Sequence, residues 1–277
     1  MPPNVRFLHD LYYLAGVWHC RGSQGPFYRH TSFVYFDEQD RAYFGKIVKP
    51  SPELTLQEIS SALRQIPDEV VFPPLPGAGA GPPWPVVPSA LNLAPVANLW
   101  GIFVKRPLLK DFDFLTDTNS VHMIPRMFFE EARVLQHISR RGPHPNIVRF
   151  HGCRVRAGRI TGLVFDRYRS NLKQFIRERR PIDKERVLGR VRSANQFLRS
   201  LGLALPEVKL EDIMIDERNG EPVLGEPGLC SWIEPEMPAN NGTPGWTGGD
   251  DDMIAMYTLI EPLRLLIDRE ISSLTHG

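Results

Sequence analysis

Residues Leu203 to Gly228 read LALPEVKLEDIMIDERNGEPVLGEPG. The run Ile213-Met214-Ile215-Asp216 opens a strand pair, and acids stand on both sides of it, Glu207 and Asp212 before and Glu226 after. Upstream, HPNIVRFHGC (His144 to Cys153) and ITGLVFDRY (Ile160 to Tyr168) are β-rich runs separated by a turn containing Gly158, and they read as a hairpin. Between these segments, Val187, Val191, Ala194, Leu198 and Leu201 recur at helical spacing over Arg186 to Leu201, with Gly202 placed to stop the helix. A shorter helix is read over Asn171 to Arg177.

The N-terminal half is less regular. Thr31 to Lys49 reads as a second hairpin, with a turn at Asp37 to Asp40 and Gly45 in the return strand. Thr55-Leu56-Gln57-Glu58 has the form of a capping box, and Leu56, Ile59, Leu63 and Ile66 make one apolar face ending at Pro67, so a helix is expected over Leu56 to Gln65. Met1 to Gln24 reads as an appended segment with a short helix. Phe72 to Asn98, with PPLPGAGAGPPWPVVP at its centre, reads as a flexible Pro-rich linker containing Trp84.

The order of hairpin, short helix, long helix, loop, strand pair and then GTPGW (Gly242 to Trp246) resembles a eukaryotic protein kinase. More narrowly, the chain is similar to a group of fungal protein-kinase-like proteins. The motifs carrying that likeness are Ile66-Pro67-Asp68 with Pro73-Pro74, Phe103-Val104-Lys105-Arg106-Pro107, His144 to Cys153, and Gly242 to Trp246. The resemblance implies an α+β, two-lobed protein-kinase-like fold with a small β-rich N-lobe and a shortened helical C-lobe. Its implied segments are an N-terminal extension (1–30), a hairpin and helix associated with the N-lobe (31–71), the linker (72–98), the N-lobe (99–168) and a truncated C-lobe (169–277).

Carried over position by position, the resemblance makes Lys105 the lysine that holds the nucleotide phosphates and Glu131 its helix partner. Phe165 falls at the gatekeeper, and Asp166 and Tyr168 fall in the hinge that faces adenine. The catalytic loop aligns with Leu205 to Asp212, placing Glu207 at the base, Lys209 at the loop lysine and Asp212 at a metal ligand. The D-F-G loop aligns with Glu226-Pro227-Gly228, so Glu226 is the second metal ligand. The implied cofactors are ATP and Mg²⁺.

Several of these positions depart from the kinase pattern. Mg²⁺ requires near-ideal octahedral oxygen geometry at about 2.0–2.1 Å, and the extra methylene of Glu226 displaces its oxygens by about 1 Å, a misplacement that costs roughly 10²-fold in rate. Glu207 carries the same handicap as a base. Leu205 and Pro227 replace the His and Phe that normally brace the two loops. No G-x-G-x-x-G precedes Lys105, and Gly77 to Gly81 lies in a Pro-rich stretch that cannot donate ladder hydrogen bonds. No A-P-E segment follows. Nucleotide binding through Lys105 and the hinge is compatible with all of these changes.

Other residue clusters have plainer readings. His144, His151 and Cys153 are of zinc-ligand types but lack a second cluster, and read as hairpin packing. Asp250 to Asp252 read as helix capping rather than a cation site, and Arg177, Arg179 and Arg180 as a solvated helix end.

The 277 residues, 42% hydrophobic, are enough for one large or two small domains, and a net charge of +1 provides no general field for nucleic acid or a membrane. The unclustered Cys20, Cys153 and Cys230 argue against a disulfide framework. With no membrane-length apolar run, the chain reads as soluble and intracellular, cytoplasmic or nuclear. Three functions fit: a pseudokinase with weak or no phosphotransfer that binds or scaffolds a protein partner, an active atypical Ser/Thr kinase, and a paralogue with no selected activity.

Overall fold

The run Thr31 to Phe36 lacks the polar alternation of a half-solvated strand because its strand is covered on both faces. A computed structural model describes residues 3, 5–20, 25–77, 83–87, 101–233 and 259–274. It is a mixed α+β structure with small antiparallel sheets and, among the described residues, seven α-helices. No helix among those residues is long and apolar enough to cross a membrane. The GTPGW segment, Ala78 to Gly81 and Asp250 to Asp252 lie outside the described residues. The chain divides into two compact units, one of Met1–Trp100, Val104–Phe129 and Cys153–Leu163, the other of Gly101–Phe103, Glu130–Gly152 and Val164–Gly277. This division does not follow the expected boundary at 168/169.

The first unit is built on a four-stranded sheet of order β1-β2-β3-β4, comprising β1 (Tyr13–Cys20), β2 (Pro26–Phe36), β3 (Ala42–Ile47) and β4 (Arg64–Gln65). The period of two sorts its side chains. Phe33 and Tyr43 pack on one face with Ile59 and Leu63, while Val34 and Ala42 pack on the other with Phe72 and Ile124. Gly45 is required where β3 passes the Phe33 ring, because a Cβ there would lie 2.3 Å from Phe33 Cε2. Helix α1 (Leu56–Ala62) starts at the expected capping box, with Thr55 Oγ1 accepting from the Glu58 amide at 3.2 Å. It stops before the expected Gln65 because Arg64 and Gln65 pair with Phe44 and Tyr43 as strand β4.

Two segments differ from expectation. Residues 1–30 are not a separate extension, since β1 pairs with β2 from Tyr13↔Val34 to Cys20↔Pro26 and residue 30 lies inside β2. The described parts of the Pro-rich stretch are anchored rather than free. Proline cannot donate to a ladder but its carbonyl accepts, and Pro73 and Pro85 accept from the amides of Ile160 at 2.9 Å and Cys153 at 2.6 Å. Trp84 stacks on Phe129 at 5.4 Å.

A buried charge network closes this unit. Asp40, 2% exposed and in the left-handed region at φ 61°, ends the β2–β3 turn. Its carboxylate accepts from Arg106 Nη2 at 2.5 Å, Arg154 Nε at 2.7 Å and Thr161 Oγ1 at 2.9 Å. Burial alone would push this carboxyl up, but the charges and hydrogen bonds of Arg106 and Arg154 outweigh it and hold the group below its ordinary value.

The second unit is organised by α6 (Lys184–Ser200), whose Asp183 cap accepts from the Arg186 amide at 3.0 Å. Its buried stripe of Val187, Val191, Ala194 and Leu198 shares one core with Val134 and Ile138 of α4 (Met123–Ser139) and Leu172 and Ile176 of α5 (Leu172–Arg177). Leu263 and Ile267 of α7 (Glu261–Ser273) join the same core. This shared packing groups residues 130–152 with the C-terminal half of the chain. Strands β6 (Phe150–Arg156) and β7 (Arg159–Asp166) flank the Ala157-Gly158 turn and lie with β5 (Ile102–Lys105) in a sheet of order β5-β7-β6.

Asp40→Asn leaves Arg106 and Arg154 as uncompensated buried cations and is expected to cost about 3–5 kcal/mol. Thr161→Val, which removes one hydroxyl bond, is expected to cost about 1 kcal/mol. Urea denaturation checks both. Because the folded carboxyl titrates below its ordinary value of 3.8, its contribution is complete above 3.8 and disappears as the pH falls through the lower folded value. The stability difference between wild type and Asp40→Asn therefore closes only at strongly acidic pH.

Candidate functional site

The candidate site lies wholly in the second unit, on the hairpin β10 (Ile213–Asp216) and β11 (Glu221–Leu224). The strands pair from Ile213↔Leu224 to Asp216↔Glu221, and β8 (Ser170–Asn171) pairs with β10 on its other edge. The free edge of β11 is taken by the His144 to Val148 corner. Leu224 donates its amide to Asn146 O, and Val148 donates to Leu224 O, both at 2.9 Å. The buried Asn146 side chain adds a bond from Nδ2 to Pro222 O at 3.2 Å. The corner itself is set by His144, which stacks on Phe197 at 4.8 Å and accepts the Asn146 amide at Nδ1 at 3.2 Å. Burial lowers the His144 pKa, which suits the neutral ring that this acceptor role requires.

One end of the hairpin gathers acids. Asp212 immediately precedes β10, Glu226 follows β11, and the Gly225 amide donates to Asp212 O at 2.7 Å. Asp212 Oδ2 accepts from the Lys209 amide at 3.0 Å. Burial pushes the Asp212 carboxyl above its ordinary value; the Lys209 amide opposes this, and the negative charge of Glu226 adds to it. Glu131, on α4, lies against the same loop: a Cβ on Gly228 would sit 2.5 Å from Glu131 Cγ and 3.0 Å from its Oε1. The structure thus brings Asp212, Glu226 and Glu131 to one end of the hairpin.

The other expected site residues lie on other elements. Glu207 and Lys209 are exposed on the loop before β10. Lys105, half-buried at the end of β5, belongs to the first unit. Phe165 is 4% exposed and packs against Phe150 at 5.4 Å. Asp166 is engaged by His151 Nε2 at 2.6 Å, and Tyr168 is half-buried, its phenol pushed up by burial and then by the charges of Asp166 and Asp216. His144, His151 and Cys153 serve packing and pairing, and no group of three or more His, Cys, Asp or Glu suited to a metal occurs among the described residues.

Asp166 and Tyr168 line a cleft of about 430 Å³ whose other walls come from the His144 corner, α6 and the turn at the far end of the β10–β11 hairpin. Arg149, Arg190 and Arg218 enter it from three different elements. No sequence signal joins these arginines, because each stands alone in its own segment. HPN was visible only as part of a motif, although a buried Asn beside a β-rich run is itself a sign of backbone clamping.

Two carboxylates suit a Mg²⁺ ion that takes its other ligands from phosphates and water rather than a closed protein cage, and a cation would relieve the mutual repulsion of Asp212 and Glu226. The donor set therefore fits the metal as a phosphate-linked ion. Neither a protein-family model nor a curated protein matches the sequence.

Gly228→Ala drives a methyl into Glu131 and is expected to cost about 1–3 kcal/mol by overpacking, measured by denaturant unfolding. Asp212→Asn keeps the acceptor for the Lys209 amide and removes the repulsion from Glu226. It is expected to raise the melting midpoint at neutral pH. The gain shrinks as the pH falls through the raised folded value, where wild-type Asp212 takes up a proton.

Proposed function

We infer that the chain is a two-lobed protein-kinase-like protein that binds Mg-ATP and serves as a binding or scaffolding module for a protein partner, with weak or no phosphotransfer. The observation that carries this reading is the meeting of Asp212, Glu226 and Glu131 with Gly228 at one end of the hairpin. The ordered series of kinase-like motifs from Ile66 to Asp212 supports it independently.

In this reading Asp212 and Glu226 hold Mg²⁺, and the kinase resemblance makes Lys105 the lysine for the nucleotide phosphates. The metal supplies charge neutralisation at the β- and γ-phosphates. Glu131 holds the Gly228 loop in place by direct packing. Transfer is weak because Glu207 is exposed and one methylene longer than the usual base, and because Glu226 reaches the metal from a displaced position. Pro227 is buried and begins a 3-10 turn, which fixes the backbone after Glu226 with a ring lacking an amide N–H.

A thermal-shift titration tests the reading. Mg-ATP at a hundred times its Kd is expected to add about 2.7 kcal/mol of stability, and Lys105→Ala or the double substitution Asp212→Asn with Glu226→Gln is expected to abolish the response. Labelled ATP is expected to transfer no phosphate to a peptide panel above background. Absence of any Mg-ATP shift overturns nucleotide binding; peptide phosphorylation abolished by Lys105→Ala overturns the scaffold reading in favour of an active atypical kinase.

A further inference from the structure

The cleft at the turn end of the hairpin has a surplus of hydrogen-bond donors. Each carboxylate on its wall is already engaged within the protein. Asp216 receives Arg218 through Nε at 2.9 Å and Nη2 at 2.7 Å. Glu221 is held by Arg186 and by Arg190 Nε at 2.9 Å, and Asp166 by His151. The donors are only partly used. Arg149 has no side-chain hydrogen bond or ion pair among the described residues, and Nη1 of both Arg190 and Arg218 is unengaged. The Asn219 side chain uses only Oδ1, which accepts from the Glu221 amide at 2.9 Å, so its Nδ2 is also unused.

A ligand that satisfies such a surface must bring acceptors and negative charge. Arg149, Arg190 and Arg218 line the cleft from the end of the His144 corner, from α6 and from the hairpin turn. Donors contributed by separate elements suit a tetrahedral group, whose three acceptor oxygens point in more directions than the two coplanar oxygens of a carboxylate. The corner is held in advance by the Asn146 clamp, Arg190 and Arg218 are paired with Glu221 and Asp216, and about 430 Å³ is within the range of small-ligand pockets.

We propose that this cleft is a binding site for a phosphoryl group, with Arg149 as its principal contact and Arg190, Arg218 and Asn219 as supporting donors. The group is carried either by a phosphorylated protein segment or by a small phosphorylated compound. Half-buried Tyr168 supplies an aromatic wall beside the phosphate carrier. The site stands apart from the acid end of the hairpin, and its existence does not depend on the nucleotide reading.

Fluorescence polarisation of the full chain with a fluorescein-labelled peptide bearing two phosphoserines tests the proposal. Arg149→Ala is expected to weaken binding by about tenfold or more, with Arg149→Lys intermediate because it keeps the charge and loses the fork. Arg192→Ala, on the exposed surface of α6 outside the cleft, is expected to leave binding unchanged. None of these exposed substitutions should move the melting midpoint. Peptide affinity well above that of free phosphoserine identifies a protein segment as the carrier; equal affinity identifies a small compound. Absence of binding, binding unaltered by Arg149→Ala, or equal binding of a peptide with Glu in place of phosphoserine overturns the proposal. Peptide binding without a Mg-ATP shift would retain this site while removing the nucleotide reading.

Discussion

The second unit depends on a short backbone clamp. Asn146 O, Val148 N and both backbone polar groups of Leu224 are joined across two bonds of 2.9 Å, and the Asn146 amide reaches Pro222 O. These groups lie in buried surroundings, where an unmet backbone donor or acceptor costs about 1–3 kcal/mol. The clamp therefore fixes the β10–β11 hairpin in register against the His144 corner. Pro222 takes part only as an acceptor, which is why a proline is tolerated inside a strand here.

A hairpin held along its length presents two ends with different side chains. The open end collects Asp212 and Glu226 beside Glu131. The turn end carries Arg218 and Asn219 into a cleft that Arg149 and Arg190 complete, the site proposed for a phosphoryl group. Rigidity links the two: both sets of side chains issue from strand ends whose positions follow from the same ladder. The first unit has its own organising feature, the Asp40 carboxylate between two guanidiniums. There charge satisfaction closes a sheet packed on both faces.

Much of the local structure could be read from the chain. The Thr55 and Glu58 cap, the turn from Asp37, and the periodic face of α6 each declare themselves within a few residues, because the forces that set them act over one helical turn or one hairpin. Strand β1 was hidden because Tyr13 to Trp18 are only partly buried or exposed, so FLHDLYYLAGVWHC shows no clean alternation. The Pro-rich stretch was hidden because its prolines pair as acceptors alone. The Asp40 network joins partners 66, 114 and 121 residues apart, beyond any local signal.

The candidate site was legible in the same partial way. Asp212 and Glu226 bracket a strand pair and so had to approach one another, whereas the packing of Glu131 on Gly228 joins residues far apart in the chain. The arginine cleft was not legible, since Arg149, Arg190 and Arg218 become neighbours only when the corner, α6 and the hairpin are assembled. Amide chemical-shift mapping of the isotope-labelled protein with each ligand in turn tests the two-ended hairpin most directly. The account predicts that Mg-ATP moves residues around Glu131, Asp212 and Gly228, while a phosphoserine peptide moves a separate set around Arg149 and Arg218. Shifts from both ligands in a single shared set, or none at either end, would contradict it.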